Sequence, residues 1–258
     1  VMGQERIIHA ALLGAGTVGS GVYKLVKDLE EEIISKTGAR LVVDKILVRD
    51  TTKAREGIPS ELLIDRWDEI LNDPQIEIVI EVMGGIRPAL TWLEEALRAG
   101  KQVVTANKDL LAEYGEQLFD AAEAGKCDLH FEAAVAGAIP IIRPLRQSLV
   151  ASELTEVMGI VNGTTNYILT RMTEDGMGYE EALALATKLG YAESDPTADV
   201  EGYDAGRKVA IMASIAFNSN VTFSQVYTEG ITHITAEDIR YACLLYTSPS
   251  PRDRTRSR

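Results

Sequence analysis

The stretch that decides the fold is Ile7–Leu13 (IIHAALL) followed by Gly14–Gly19 (GAGTVG). The first seven residues are apolar apart from His9 and are predicted to form a buried strand, and apolar side chains recur at helical spacing after the glycines. A G-x-G-x-x-G between a strand and a helix is typical of a dinucleotide-binding turn, although a glycine-rich turn without a ligand has the same pattern. We expect five residues of the turn to contact a pyrophosphate-bearing cofactor: Gly14, Gly16, Thr17, Val18 and Gly19.

Strand-like and helical segments alternate through residue 131. The predicted strands are Leu41–Val48, Ile76–Val82, Gln102–Thr105 and Asp128–Phe131, and the predicted helices are Pro88–Ala99 and Tyr114–Ala124. This alternation predicts an α/β protein with a Rossmann-type, doubly wound parallel sheet. Ligands of such sheets bind beyond the carboxyl ends of the strands. We therefore expect four further residues at the same crevice: Arg49, Gly84, Thr105 and Lys108.

The pair Arg49-Asp50 follows the second predicted strand, where such folds discriminate between NAD and NADP. An arginine accommodates a 2′-phosphate and an acidic residue binds the ribose 2′-hydroxyl, so Arg49 favours NADP while Asp50 leaves NAD open. Either residue could equally be a solvated loop charge. Lys108 stands at a predicted helix start, where it could contact cofactor or substrate or be an ordinary surface lysine.

The composition excludes several classes of protein. The 258 residues carry a net charge of −13, and an acidic chain is a poor candidate for nucleic-acid or anionic-membrane binding. The sequence has neither an 18-residue apolar run nor the pattern of a signal peptide, so we expect a cytoplasmic protein with no nucleic-acid or membrane partner. The two cysteines, Cys127 and Cys243, lack metal-ligand spacing.

The pattern changes after residue 132. Glu132–Pro140 is composed of small and apolar residues whose backbone carbonyl oxygens could bind a cation, although a buried loop before a helix fits the same pattern. Leu154–Val161 is predicted to be a strand that leads into Asn162–Asn166, where a Thr or Asn side chain would cap a helix at Tyr167–Thr173. Further helices are predicted at Tyr179–Leu189 and Tyr203–Ala216.

Asp204 and Lys208 lie four residues apart on one face of the last of these helices. A carboxylate beside a lysine can orient it, or bind a substrate ammonium, while the lysine exchanges a proton with a reacting oxygen. Because the interconversion of an alcohol and a carbonyl needs one proton transfer beside the hydride, a nicotinamide site requires such a group. The spacing alone is equally that of an ordinary surface ion pair.

Five segments together resemble the homoserine dehydrogenase family over roughly residues 5–242. They are Gly14–Gly19, Thr105–Lys108, Glu132–Pro140, Gly159–Asn166 and Asp199–Lys208. The resemblance implies a Rossmann-type NAD(P)-binding domain at residues 1–132, followed by part of an α+β substrate and dimerisation domain at residues 133–242. It also implies an oxidoreductase that interconverts L-homoserine and L-aspartate 4-semialdehyde with NADP or NAD, on the route to threonine and methionine.

The resemblance further implies roles for individual residues. Lys208 matches the family's proton-donating catalytic lysine, and Lys108 matches a second catalytic lysine. The substrate-binding residues would be Glu193, Asp204 and Asp199. A monovalent cation, usually sodium in the family, would be bound by the backbone oxygens of Glu132, Val135, Gly137 and Ile139. The family also implies a homodimer.

Residues 243–258 differ in composition from the rest of the chain. They contain four arginines and one aspartate, a charge of +3, so the first 242 residues carry −16. This segment resembles no part of the family, and we expect it to be a disordered tail. We also expect the catalytic region to be cut short, without the family's closing helix and part of its dimer-forming sheet.

Two alternative functions remain open. The chain could be an NAD(P)-binding module that truncation has deprived of catalysis. It could also be another Rossmann oxidoreductase, such as an aspartate-semialdehyde dehydrogenase, but that reaction needs a nucleophilic cysteine. Cys127 lies in a helix-to-strand connection and Cys243 at the tail junction, so neither position suits a nucleophile.

Overall fold

A computed structural model describes residues 6–247 of the chain. The polypeptide forms two compact units that divide between Leu154 and Thr155, and residues Ala210–Phe223 return to the first unit.

The first unit contains a six-stranded sheet in the order β3-β2-β1-β4-β5-β6, in which every neighbouring pair is parallel. The strands are β1 (Arg6–Leu13), β2 (Ala39–Leu47), β3 (Leu63–Ile64), β4 (Ile76–Glu81), β5 (Gln102–Thr105) and β6 (Leu129–His130). The helices between them are α1 (Thr17–Asp28), α2 (Glu30–Thr37), α3 (Asp68–Leu71), α4 (Ala89–Arg98) and α5 (Lys108–Gly125). The predicted doubly wound parallel sheet is confirmed.

The central strand of this sheet is buried on both faces. Ala10, Ala11, Leu12 and Leu13 are each 0% exposed, as expected where helices cover both sides of a parallel sheet. The order reverses at β1, which pairs with β2 on one side and β4 on the other. This reversal point is where open α/β sheets bind their ligands, next to the carboxyl ends of the strands.

Helix α5 begins six residues earlier than predicted. Its cap is Asn107, whose side-chain oxygen accepts a hydrogen bond from the backbone N–H of Leu110 at 3.1 Å. An asparagine cap satisfies an N–H group that has no partner within the helix. The backbone of Tyr114, where the predicted helix begins, departs from helical geometry inside α5.

The described part of the second unit is helical. Its elements are α6 (Gly163–Glu174), α7 (Tyr179–Lys188), α8 (Thr197–Val200), α9 (Tyr203–Ala216) and α10 (Ala236–Thr247), of which α9 belongs to this unit through Val209. The core is formed by apolar residues of α6, α7 and α8 and the loop between α7 and α8: Ile168, Met172, Ala182, Ala186, Ala192 and Val200.

The predicted strand at Leu154–Val161 is wrong. Residues 153–162 adopt no regular secondary structure, and Met158 and Ile160 are 82% and 79% exposed. A strand needs a neighbour to satisfy its backbone N–H and C=O groups, and no described strand pairs with this segment. The segment therefore has the apolar residues of a strand but no described neighbouring strand to pair with.

Part of the predicted tail is helical. Helix α10 extends to Thr247, so residues 243–247 continue a regular element, and the expectation of disorder does not hold for them. The rest of the predicted tail, residues 248–258, lies outside the described residues. None of the helices in residues 6–247 is long and apolar enough to cross a membrane.

Candidate functional site

The turn between β1 and α1 has the backbone geometry that its glycines predict. Gly14 has φ of +100°, which is strained for any residue with a side chain. A Cβ atom at Gly19 would lie 2.1 Å from the carbonyl oxygen of Gly14, so a side chain there cannot be accommodated without moving backbone. These two glycines let the helix begin directly against the strand.

Gly16 has a different role in the same turn. Its φ is −80°, an ordinary value, and a Cβ atom at this position would meet nothing within 4 Å. Gly16 also precedes the first turn of α1, whose unpaired N–H groups and positive dipole end attract an anion. The missing side chain therefore keeps open the space in front of the helix N-terminus, which fits the pyrophosphate of a dinucleotide.

A buried carboxylate at the end of β4 supports the neighbouring loop. Glu81 is 0% exposed, and one of its oxygens accepts hydrogen bonds from the backbone N–H groups of Met83 at 2.8 Å and Gly84 at 3.2 Å. The other oxygen accepts a bond from the Thr105 hydroxyl at 2.6 Å. The sequence did not identify Glu81 as a site residue, although a glutamate at the carboxyl end of a predicted strand of the sheet was a visible signal.

The network continues from Thr105 to the start of α5. The Thr105 hydroxyl accepts a hydrogen bond from the backbone N–H of Asn107 at 3.0 Å, and the Asn107 amide donates to the carbonyl oxygen of Gly85 at 2.6 Å. Thr105 is 1% exposed, so its hydroxyl is occupied in holding two loops together. Its assignment as a cofactor-binding residue stays a prediction. Gly84, also assigned to the cofactor, is exposed in this loop with φ of +73°.

Arg49 and Asp50 follow β2 in the order that the sequence predicted. Arg49 is exposed. The Asp50 carboxylate accepts hydrogen bonds from the hydroxyl of Thr52 at 2.6 Å and from its backbone N–H at 2.9 Å. These bonds hold the pKa of the Asp50 carboxyl below its usual value. One oxygen of the acidic residue is thus occupied by its own loop.

Lys108 is the first residue of α5 and is half-buried. It directly follows the Asn107 cap, so the network of Glu81 and Thr105 fixes the backbone from which its side chain extends. Its catalytic role stays a prediction.

The loop at residues 132–140 is closed by the side chain of its first residue. The Glu132 carboxylate accepts hydrogen bonds from the backbone N–H groups of Ile141 at 2.6 Å, Ile142 at 2.9 Å and Arg143 at 2.9 Å. Burial acts to raise the pKa of this carboxyl, but the three N–H groups outweigh it and hold the pKa below its usual value. The carboxylate of Glu132 is therefore committed to the loop, and its backbone oxygen accepts a long hydrogen bond from the Val135 N–H at 3.4 Å.

The backbone of this loop fits a cation that is bound by carbonyl groups. The carbonyl oxygens of Val135, Gly137 and Ile139 accept no hydrogen bond from any residue that the structure describes; Val135 is buried, whereas Gly137 and Ile139 are exposed. Carbonyl oxygens that are not used within the protein suit a hard cation. Within residues 6–247, no three His, Cys, Asp or Glu side chains form a group that could bind a metal ion.

In the second unit, Lys208 forms a buried ion pair with Asp204. The Lys208 ammonium donates hydrogen bonds to an Asp204 carboxylate oxygen and to the Val161 carbonyl oxygen, both at 2.6 Å. The two side chains are only 15% and 9% exposed, which distinguishes them from a solvated surface pair. The ammonium is fixed in one position by two acceptors, as a proton donor must be.

Asn162 joins this pair to Asp199. Its amide nitrogen donates to Asp199 at 2.7 Å and to Asp204 at 2.9 Å, and its amide oxygen caps α6 by accepting from the Thr165 N–H at 2.8 Å. The sequence predicted a cap within Asn162–Asn166, which is confirmed, but it did not identify Asn162 as a site residue. Asp199, Asp204 and Lys208 are brought together as the motif suggested.

Glu193 makes no hydrogen bond or ion pair with these residues in the part of the chain that the structure describes. It is exposed in the loop before α8. Two contacts attach that loop to α6: the Tyr191 ring stacks on Tyr167 with centroids 4.6 Å apart, and the Tyr191 carbonyl oxygen accepts a bond from the Thr164 hydroxyl at 2.9 Å. The substrate-binding role of Glu193 stays a prediction.

The parallel sheet with its order reversal and glycine turn defines a dinucleotide-binding protein of the Rossmann class. A sequence model described as the homoserine dehydrogenase NAD-binding domain matches residues 14–132, and one described as homoserine dehydrogenase matches residues 140–245. The chain therefore belongs to the homoserine dehydrogenase family.

Individual relatives agree with this membership. The chain is 51% identical to a homoserine dehydrogenase of Corynebacterium glutamicum and 47% identical to one of Bacillus subtilis, over 93% and 92% of its own length. It spans only about half of these relatives, 54% and 55% of their lengths.

Solved structures of the family have the same fold. A homoserine dehydrogenase from Thiobacillus denitrificans superposes with a TM-score of 0.86 at 44% identity, covering 93% of this chain and 56% of that one. A putative homoserine dehydrogenase from Archaeoglobus fulgidus superposes with a TM-score of 0.79 at 33% identity, covering 92% of this chain and 77% of that one.

Proposed function

We propose that the chain catalyses the NAD(P)-dependent interconversion of L-homoserine and L-aspartate 4-semialdehyde. The observation that carries the proposal is the Lys208 ammonium, held at 2.6 Å by both Asp204 and the Val161 carbonyl oxygen in a largely buried position. Family membership supplies the reaction, and this geometry supplies a proton donor suited to it.

The chain's own residues have the following roles in the proposal. Lys208 donates a proton to the oxygen that becomes the alcohol, and its positive charge stabilises the developing alkoxide. Asp204 orients that ammonium, and Asp204, Asp199 and Glu193 bind the polar groups of the amino-acid substrate. Lys108 acts as a second catalytic lysine, a role that rests on the family resemblance.

When a nicotinamide dinucleotide is bound, it gives or accepts the hydride. The turn Gly14–Gly19 would hold its pyrophosphate. Gly84 after β4 and Thr105 at the end of β5 would contact the same dinucleotide. We propose that NADP is preferred, because Arg49 is exposed beyond β2 while an oxygen of Asp50 is engaged by Thr52. A guanidinium suits a 2′-phosphate, whereas a carboxylate suits the ribose 2′-hydroxyl of NAD.

A monovalent cation, sodium by resemblance, would bind the backbone oxygens of Glu132, Val135, Gly137 and Ile139. The assignment is supported by the carbonyl oxygens of the last three, which accept no hydrogen bond from the described residues. Family membership supports a cytoplasmic homodimer in threonine and methionine biosynthesis. Residues 1–132 would be the dinucleotide-binding domain and residues 133–242 the substrate domain, in agreement with the family matches that end at residue 132 and begin at residue 140. The compact units of the structure divide later, between Leu154 and Thr155.

The experiment is homoserine-dependent reduction of NADP and of NAD by the purified protein, measured beside the dissociation constant of each dinucleotide. Lys208→Ala is expected to remove most of the turnover and to leave dinucleotide affinity unchanged. Lys188→Ala is the matched control, because Lys188 is an exposed lysine at the end of α7. Lost NADPH binding with unchanged turnover per bound enzyme would contradict the role of Lys208.

The second candidate function is dinucleotide binding without catalysis. It is favoured by the glycine turn in front of α1, which offers a dinucleotide site within the first unit and needs no contribution from Lys208. Micromolar dinucleotide binding with no homoserine-dependent turnover would support this function over the first.

A further inference from the structure

We propose that Asn162 is a positioning residue that holds the lysine–aspartate pair in its reactive geometry, beyond its task of capping α6. The proposal rests on the proposed function in one respect: it takes Lys208 to be the proton donor. It concerns the side-chain amide of Asn162, which lies 42 residues before Asp204 in the sequence.

The amide of Asn162 uses its full hydrogen-bonding capacity. Its oxygen accepts two bonds from Thr165, one from the backbone N–H and one from the hydroxyl, both at 2.8 Å. Its nitrogen donates two bonds, to Asp199 at 2.7 Å and to Asp204 at 2.9 Å. An amide has two acceptor and two donor positions, so the orientation of this side chain is fixed.

The two donated bonds hold together carboxylates that would otherwise repel each other. Asp199 and Asp204 approach the same NH2 group from α8 and α9, and its two N–H bonds separate and orient them. The Asp204 oxygen that accepts the hydrogen bond from the Asn162 amide also accepts the one from the Lys208 ammonium. The amide therefore limits where that oxygen can lie, and with it the ammonium.

The backbone next to Asn162 supplies the other contact of the lysine. Val161 immediately precedes Asn162, and its carbonyl oxygen is the second acceptor of the Lys208 ammonium at 2.6 Å. One dipeptide thus contacts both members of the ion pair. A change in the Asn162 side chain is expected to release Asp204 and to loosen the ammonium with it.

Two substitutions separate capping from positioning. Asn162→Ser retains a good helix cap but lacks the NH2 group, and it introduces no charge. Asn162→Asp also retains the cap, but it places a third carboxylate where Asp199 and Asp204 need a donor. Thr170→Ala is the control, since the Thr170 hydroxyl only bonds a backbone carbonyl on the exposed side of α6.

A positioning role predicts a loss of kcat without a loss of folding or cofactor binding. Asn162→Ser is expected to lower kcat by about 10- to 100-fold, the size of effect that a small misplacement of a catalytic group produces. Asn162→Asp is expected to lower it further, while the dinucleotide dissociation constant stays at the wild-type value in both variants and the urea midpoint of Asn162→Ser stays at that of the Thr170→Ala control. Wild-type kcat in Asn162→Ser would overturn the proposal.

A second measurement does not depend on turnover. Trace acetylation of the native protein with acetic anhydride, followed by mass spectrometry, gives the reaction rate of the Lys208 amine relative to the exposed lysines. An ammonium held by two acceptors is protected, so Asn162→Ser is expected to speed its acetylation by about threefold or more. An unchanged rate would overturn the positioning role, whereas a faster rate in a protein without turnover would refute only the proposed function.

Discussion

Replacing Glu81 by alanine is expected to destabilise the first unit and the loop that follows β4. The side chain is fully buried and accepts three hydrogen bonds, from the Met83 and Gly84 N–H groups and from the Thr105 hydroxyl. Truncation removes the acceptor of all three donors. The effect should therefore exceed that of an ordinary surface substitution.

The magnitude follows from the exposure of the donors. The Thr105 hydroxyl is 1% exposed and would remain buried without an acceptor, which costs about 1–3 kcal/mol. The Met83 and Gly84 N–H groups belong to a partly exposed turn and can turn to water, so each costs roughly 0.5 kcal/mol. Lost side-chain packing adds about 1 kcal/mol. Together these contributions give an expected loss of about 3–5 kcal/mol in the free energy of unfolding.

The assay is urea unfolding followed by tryptophan fluorescence. The chain has two tryptophans, Trp67 and Trp92, and their rings stack with centroids 5.6 Å apart in the first unit. Their emission therefore reports on the unit that contains Glu81. Glu77→Ala is the matched control on the same strand, because Glu77 is exposed and its contact with Arg6 is a solvated ion pair at 3.5 Å.

Glu81→Gln tests the cause of the effect. The glutamine keeps the shape and one acceptor for the Met83 and Gly84 N–H groups, but it presents an NH2 group to the Thr105 hydroxyl, so we expect a loss of about 1 kcal/mol. If Glu81→Ala unfolds at the same urea concentration as Glu77→Ala, the network does not stabilise the unit and the reasoning is refuted.

Three further predictions concern the first unit. Gly16→Ala should fold normally yet lose dinucleotide binding, because its methyl group would occupy the open space before α1. Gly19→Ala should lower the urea midpoint, because its methyl group would lie 2.1 Å from a backbone oxygen. Equal urea midpoints in the two variants would contradict this difference. The Lys45 hydrogen bond and the Gln75 N–H lower the pKa of Asp73, so its stabilising contribution is present above its unfolded pKa of about 3.9 and is lost as the pH falls towards the lowered value. The urea midpoint should therefore fall less in Asp73→Asn than in the wild type between neutral pH and pH 3, and parallel curves would oppose the assignment. Burial, with a smaller contribution from a neighbouring carboxylate, raises the pKa of the Cys127 thiol, so its reaction with iodoacetamide at pH 8 should be slower than that of a cysteine peptide.

Much of the fold was predictable because its signals are local. The strand Gln102–Thr105 and the helix Tyr203–Ala216 have the predicted bounds, since apolar periodicity and the position of stop signals determine them within a few residues of chain. The same holds for the glycine turn, where the steric requirement of Gly19 involves an atom only five residues away. The prediction of a strand at Leu154–Val161 was wrong because a strand needs a neighbouring strand, which the local sequence pattern does not reveal.

The sequence by itself determined the Rossmann sheet, the glycine turn and the spacing of Asp204 and Lys208 on one helix. Only the tertiary structure decided that this pair is buried, that Val161 and Asn162 complete it, and that Glu81 supports the loop after β4. Spacing along a helix determines which side chains are neighbours, but burial and distant hydrogen-bond partners depend on segments that fold together from far apart in the chain. The difference between a solvated surface ion pair and a largely buried ammonium held by two acceptors lies in those distant contacts.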